Sequence, residues 1–396
     1  MLAKIKHSLL LATIFLFNFL LILPSENPAF ASANSIIGSW GYNAQGQVGD
    51  GTFYPRTTPY MIPNSGHVSS ILAGPASSYG IADNGTLGDW GQDSSTGQLC
   101  DGQQLVNIYS PQVVSGITVT QLAAGNATLI YLKSDGTVWG CGRDDYGQLG
   151  QGVTHNYSLL NPVQVQGLSS IVHIAMGGST GFAVKSDGTV YSWGSDACGV
   201  LGRYISGPFD YDPTPTVADQ IGTPGFTSFS TSGSHGLGSK SDGSVWAWGC
   251  NNVGQLGNGS TDSNDHLVPG QVSNIGGVTQ VSAGGTTSLA LKSDGTIYGW
   301  GNNAYGQLGD NSTTNRTTPV RAGTISTGVE ISAADGSDSY AVLSDGTVWD
   351  WGYGGYFTGC LGNGLNYDFN TPQQVFGLSG ISHISAGGCH VLVLHL

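Results

Sequence analysis

From Ile36 onward the chain alternates short apolar runs with polar, glycine-rich breaks. In the clearest stretch, Val278–Ala283 is a strand-like run that ends at Gly284-Gly285, and Ser288–Lys292 is a second run. Ser293-Asp294-Gly295 follows, then a third run, Thr296–Trp300. Asp-Gly between two alternating runs of β-branched and aromatic residues predicts a hairpin, because glycine supplies the positive φ of the tight turn. The same turn recurs at Asp135-Gly136, Asp187-Gly188, Asp242-Gly243 and Asp345-Gly346, and as Asn84-Gly85. A loop leads to Gly306-Gln307-Leu308-Gly309, and a last short strand begins near Pro319, where proline fits a first strand residue. We label the four strands A to D. After residue 35 no long segment shows a 3.6-residue period, so no helix is predicted there.

This unit returns at a fixed period. Trp40-Gly41, Trp90-Gly91, Cys141-Gly142, Trp193-Gly194, Trp248-Gly249, Trp300-Gly301 and Trp351-Gly352 mark it, with successive glycines 50 to 55 residues apart. Four short antiparallel strands, repeated seven times, predict an all-β, seven-bladed propeller of four-stranded antiparallel blades. The repeats run approximately 67–116, 117–170, 171–225, 226–277, 278–328 and 329–380. The chain begins with strands C and D (36–66) and ends with strands A and B (381–396). These halves predict one split blade that closes the ring and removes exposed sheet edges.

Residues 1–31 read differently. Lys4 and Lys6 precede an apolar run, Leu9–Leu23, and Ala29-Phe30-Ala31 offers a small-x-small cleavage site. This pattern predicts a secretory signal peptide cleaved after Ala31, since the run is shorter than the ~20 residues that span a bilayer. The expected product is a secreted or envelope protein, residues 32–396, with no membrane span. Loss of Lys4, Lys6 and Glu26 takes the chain from 11 basic and 25 acidic residues to 9 and 24, a formal charge of −15. Such a balance argues against nucleic acid, which is held by Lys and Arg. The 64 glycines sit at fixed offsets in the repeat and follow from turn chemistry. Six cysteines lie in the exported part and allow 15 pairings. Cys141 replaces the repeat tryptophan and is expected as a buried thiol.

The assembled motif is Ala-Gly-Gly, Ser-Leu-Ala-Leu-Lys-Ser-Asp-Gly-Thr, aromatic-x-Trp-Gly and Gly-Gln-Leu-Gly. It resembles the repeat of the regulator of chromosome condensation family over residues 36–396. The resemblance implies a seven-bladed propeller, and the short, regular blades look similar to bacterial secreted members that bind a protein partner through loops on one face. The family's usual histidine after Gly-Gly is present as His235 and His390. The Gly-Trp-Arg-His-Thr motif of the light-sensing plant members is absent.

Candidate chemistry is sparse. The Trp-Gly tryptophans and Asp-Gly aspartates read as blade packing and turn residues. No Cys-x-x-Cys pair or Asp-x-Asp-x-Asp-Gly loop occurs, and no Gly-x-Ser-x-Gly sequence leads from a strand into a helix, so no catalysis, cofactor or metal is expected. A polar column on strand A comprises Ser70, Gln121, His173, Ser228, Gln280 and His383. Gln121, His173, Gln280 and His383 are the candidates for lining the central channel. The C–D loops carry thirteen aromatic residues: Tyr54, Tyr109, Tyr146, Tyr157, Tyr204, Phe209, Tyr211, Tyr305, Tyr353, Tyr356, Phe357, Tyr367 and Phe369. Mixed with Asp, Asn and Ser on one kind of loop, they match the composition of recognition surfaces. Blades 3 and 6 depart most from the repeat, which makes Tyr204, Phe209, Tyr211, Tyr353, Tyr356 and Phe357 the candidate partner-binding residues. The expected function is a monomeric, non-catalytic binding protein that recognises an extracellular or envelope protein or glycan. The alternatives are a hydrolytic or carbohydrate-active enzyme with its site at the channel mouth, and a structural module of an envelope assembly.

Overall fold

The computed structural model describes residues 35–395, except 64, 66, 94–95, 104–105, 206–209, 223–224 and 357. The proposed signal peptide therefore lies outside the described residues. Seven four-stranded sheets form, each ordered A-B-C-D. Blades 1 to 6 each use consecutive strands. In blade 7, strand C is Ile36–Gly41 and strand D is Arg56–Met61, while strands A and B are Ile381–Ala386 and His390–His395. Strand C lies antiparallel to strand B from Ile36↔His395 to Gly41↔His390. The complementary halves thus close the ring as the sequence predicts. The one helical element among the described residues is a 3-10 turn, Ala197–Gly199.

The core lies between blades rather than within them. In one cluster Leu237 and Val245 of blade 4 pack with Val278, Val281 and Trp300 of blade 5. Trp300 is fully buried, and its indole N–H donates to the Gln255 carbonyl of the preceding blade at 2.9 Å. Trp40, Trp90, Trp193, Trp248 and Trp351 make the same inter-blade bond. The repeat tryptophan is therefore packing; one glycine makes room for the ring and a second lets the strand end pass close to the neighbouring backbone. A β-carbon built on Gly257 would lie 2.8 Å from Trp300 Nε1. Gly301 sits at φ +93°, and a β-carbon there would lie 2.5 Å from the Thr286 carbonyl oxygen.

The two histidines at the family's histidine position, His235 and His390, are structural too. His235 Nε2 meets Ser288 Oγ at 2.9 Å, and His390 Nε2 meets Ser78 Oγ at 2.9 Å, each linking strand B to the next blade. Burial lowers both imidazoles to a pKa of about 4, so they are neutral at pH 7.

Candidate functional site

The C–D loops are held by their own buried polar residues. An Asn or Asp opens each loop in blades 7, 2, 3, 4 and 5, and its side-chain oxygen accepts the backbone N–H five residues on: Asn43–Val48, Asp144–Leu149, Asp196–Leu201, Asn251–Leu256 and Asn303–Leu308. The glutamine of Gly-Gln-Leu-Gly turns back in the same way, as when Gln307 accepts the Tyr305 N–H. These residues are buried. The loop aromatics are thus surplus to what holds the loops.

Tyr109, Tyr157, Tyr211 and Phe369 lie on strand D rather than in the C–D loops, because that strand starts earlier than its proline suggests, and the predicted aromatics fall into separate groups. Tyr204 and Tyr356 are the most exposed, at 76% and 80%. Tyr211 meets Tyr146 of blade 2 edge-on at 6.2 Å, and Tyr353 meets Tyr305 of blade 5 at 4.8 Å. Phe53 and Tyr54 of blade 7 stack together, and Phe53 reaches Tyr109 of blade 1 at 6.5 Å. The pairs therefore cross blade boundaries, and blades 3 and 6 do not form one patch. Phe209 and Phe357 lie outside the described residues.

The strand A column links blades. The Gln121 side chain accepts the Ile174 N–H at 2.9 Å and donates to His173 Nδ1 at 2.8 Å and to the Ile174 carbonyl. Gln280 brackets Ile331 in the same way. Glu330, which the sequence alignment of the column missed, fills the blade 6 position. Its carboxylate accepts the Ile384 N–H and pairs with His383 Nδ1 at 3.4 Å. That hydrogen bond raises the His383 pKa, and burial lowers that of His173 to about 4. All four predicted channel residues are partly buried. A second rung, from Ser230, Ser282, Ser332 and Ser385, bonds the next blade's strand A. The equivalent residues of blades 1, 2 and 3 are Leu72, Ala123 and Ala175.

The blade 1–2 boundary departs from the others. Cys141 is not a free thiol: it forms a disulfide with Cys100, the residue that replaces the last glycine of Gly-Gln-Leu-Gly. At other boundaries those two positions hold a glycine and a tryptophan in contact, Gly49 with Trp90 and Gly309 with Trp351. The disulfide therefore replaces both members of the contact. The sequence carried this signal as a paired departure at one repeat step. Two further disulfides, Cys198–Cys250 and Cys360–Cys389, tie blade 3 to 4 and blade 6 to 7.

Two clefts open at this same boundary, each of about 610 Å³. One is lined by Asp93, Asp101, Gln112, Val113 and Asn161 among others. Behind it Asp89 is fully buried. Although Gln112 approaches Asp89, neither carboxylate oxygen has a partner in bonding geometry. Burial, then the charges of Asp101 and Asp93, raise its pKa to about 8, and burial raises Asp93 to about 6. The other cleft is lined by Thr96 of blade 1 and by Arg143, Asp144, Asp145 and His155–Leu160 of blade 2, Leu159 excepted. Among the described residues no group of three or more His, Cys, Asp or Glu side chains could hold a metal ion. No helix among them is long and apolar enough to cross a membrane.

Models of the regulator of chromosome condensation (RCC1) repeat match residues 135–184, 242–291, 294–343 and 345–394. A second model of the same repeat matches 119–148, 171–200, 226–255 and 278–307. The chain belongs to the RCC1 repeat family. It is 31% identical over 72% of its length to the human E3 ubiquitin-protein ligase HERC2, of which it spans 6%. It is 28% identical over 88% of its length to the ultraviolet-B receptor UVR8 of Arabidopsis thaliana, covering 79% of that protein. Its RCC1 fold matches yeast RCC1 (Prp20), solved with bound Kap60, at a TM-score of 0.80, with 20% identity and coverage of 92% and 89% of the two chains.

Proposed function

We propose that this RCC1-repeat propeller is an exported, non-catalytic binding protein that recognises a protein or glycan partner through its C–D loop face. One observation carries the reading. The loops meet their own structural needs with buried Asn, Asp and Gln residues, yet present Tyr54, Tyr204, Tyr356 and Tyr367 largely exposed, with the exposed Tyr157 beside them on strand D of blade 2. Tyrosine gives large contact area at small entropic cost, which is what a recognition surface uses. The Kap60 complex of yeast RCC1 supports a role in protein recognition. The match covers 6% of HERC2, so that protein's ligase activity lends nothing here. Three disulfides support export to an oxidising compartment, as does the leader-like pattern of residues 1–31.

An enzyme at the channel mouth is less well supported. Asp338 is buried and accepts the Tyr340 hydroxyl, while Asp335 accepts the Gly285 N–H. Burial raises the Asp338 carboxyl to about 7, but Asp338 is closed to a substrate.

The test is capture from culture supernatant and envelope extracts by the exported protein, followed by Tyr204→Ser, Tyr211→Ser, Tyr353→Ser and Tyr356→Ser combined. The melting temperature should hold and capture should disappear, because truncating aromatic anchors costs about 2 kcal/mol or more each. Capture at equal affinity would place the interaction elsewhere. N-terminal sequencing of the exported chain should begin at Ser32.

A further inference from the structure

We propose that the cleft lined by Thr96, Arg143, Asp145, His155 and Tyr157 binds a pyranose ring of a neutral glycan. The proposal rests on the C–D loop reading and narrows it to one subsite, at the blade 1–2 boundary.

Strand D of blade 2 builds the cleft wall. In blades 5 and 7 strand D starts at Arg316 and Arg56, the register partners of Gly301 and Gly41. Both arginines are committed to the loop aspartates Asp310 and Asp50. In blade 2 the partner of Gly142 is Leu159, and the strand begins earlier, at His155, which pairs with Asp144. The loop is instead tied by His155 Nδ1 to the buried Asp144 carboxylate at 2.6 Å. This extension places Tyr157, 60% exposed, on the cleft wall, with His155 edge-on to it at 5.2 Å. The opposite wall is the blade 1 loop, which packs so closely on Leu160 that a β-carbon on Gly97 would meet Leu160 Cδ2 at 2.4 Å. The Cys100–Cys141 disulfide ties the two walls together. The cleft is thus preformed, and its volume lies in the range of small-ligand sites.

Its chemistry selects the ligand. Among the lining residues Leu160 alone is aliphatic, so a largely apolar molecule finds little to bury against. Arg143 pairs with Asp145 at 2.6 Å and His155 with Asp144 at 2.6 Å. A phosphate would meet these carboxylates, and a cation would meet the guanidinium. A neutral pyranose meets neither penalty. Its C–H face fits the Tyr157 ring, and its adjacent hydroxyls match the planar donor fork of Arg143 and the acceptor pair of Asp145. Thr96, Asn156 and Ser158 add neutral hydrogen-bonding groups at the rim.

The experiment uses the exported chain with maltose, cellobiose and N,N′-diacetylchitobiose as probes and inorganic phosphate as the anion control, read by ligand-observed NMR and calorimetry. At least one disaccharide should bind. Tyr157→Ala and Arg143→Met should each weaken it by about tenfold or more, with an unchanged melting temperature. Tyr157→Phe, which keeps the stacking surface, should retain most of the affinity. Co-sedimentation with insoluble cellulose or chitin separates recognition of a glycan chain from recognition of a free sugar. Binding of none of the three sugars overturns the proposal, as does sugar binding indifferent to Tyr157→Ala, or phosphate binding that Arg143→Met abolishes. Partner capture is scored separately. Capture without sugar binding removes the cleft and leaves the loop-face reading, whereas sugar binding without any captured protein leaves the cleft and removes the protein partner.

Discussion

Replacing Cys100 with glycine and Cys141 with tryptophan should restore at the blade 1–2 boundary the contact found at boundaries such as Gly49–Trp90 and Gly309–Trp351. The Cys100–Cys141 disulfide closes a loop with a sequence separation of 41. The chain-entropy relation makes its loss worth about 4 kcal/mol. Cys100→Gly returns about 1 kcal/mol, because Cys100 sits at φ 60°, a conformation costly for a residue with a β-carbon. A fully buried tryptophan is worth about 3–5 kcal/mol relative to alanine. The site has a precedent for the larger ring. At the blade 6–7 boundary Tyr340, the counterpart of Tyr79, packs edge-on against Trp40 at 6.4 Å. The Gln98 carbonyl, which would receive the indole N–H, already accepts the Tyr79 hydroxyl. It has a second lone pair, as the Gln255 carbonyl shows by accepting both Ser288 and Trp300. The double variant C100G/C141W should therefore unfold within about 2 kcal/mol of the wild type, while C100G/C141A falls about 3 kcal/mol below it. Urea unfolding in oxidising buffer, with the other two disulfides intact, measures both. If C100G/C141W is no more stable than C100G/C141A, the claim that the disulfide stands in for the Gly–Trp contact is wrong.

Three further outcomes are expected. Trp300→Ala should cost about 3–5 kcal/mol in chemical denaturation, since the ring is fully buried and its partner carbonyl keeps the Ser288 hydroxyl; a loss below about 1 kcal/mol would mean the ring is not part of the core. Asp89 has a folded pKa of about 8 against 3.8 unfolded, so folding takes up a proton and stability falls as pH rises from about 4 to 8. Asp89→Asn, which cannot ionise, should raise the melting temperature at pH 8 and flatten its decline from pH 5, and an unchanged slope would show that Asp89 is ionised in the fold. Truncation before Ile381 removes strands A and B of blade 7 and leaves two open sheet edges. The product should aggregate in size-exclusion chromatography, and a monomer of unchanged melting temperature would refute closure by strand pairing.

The period of Trp-Gly and the Asp-Gly turns determined the propeller without any structure, because each is a local requirement: a positive φ at a turn, and a large ring at one strand end. The complementary half-repeats determined closure for the same reason, since a strand pair missing at one end was present at the other. The face the C–D loops share also followed, as every loop succeeds the same strand. Which aromatics meet did not. Tyr146 with Tyr211 and Tyr305 with Tyr353 are contacts between blades, and the repeat pattern fixes a residue's place within a blade but not its reach across a boundary. Glu330 was hidden because its blade opens strand A with Gly328 rather than an apolar residue. The disulfides could not be paired from spacing, for they join cysteines 41, 52 and 29 residues apart that become neighbours only when the ring packs blade on blade. The cleft at the blade 1–2 boundary rests on the same step. Its two walls lie on different blades, and only tertiary packing sets Thr96 opposite Tyr157.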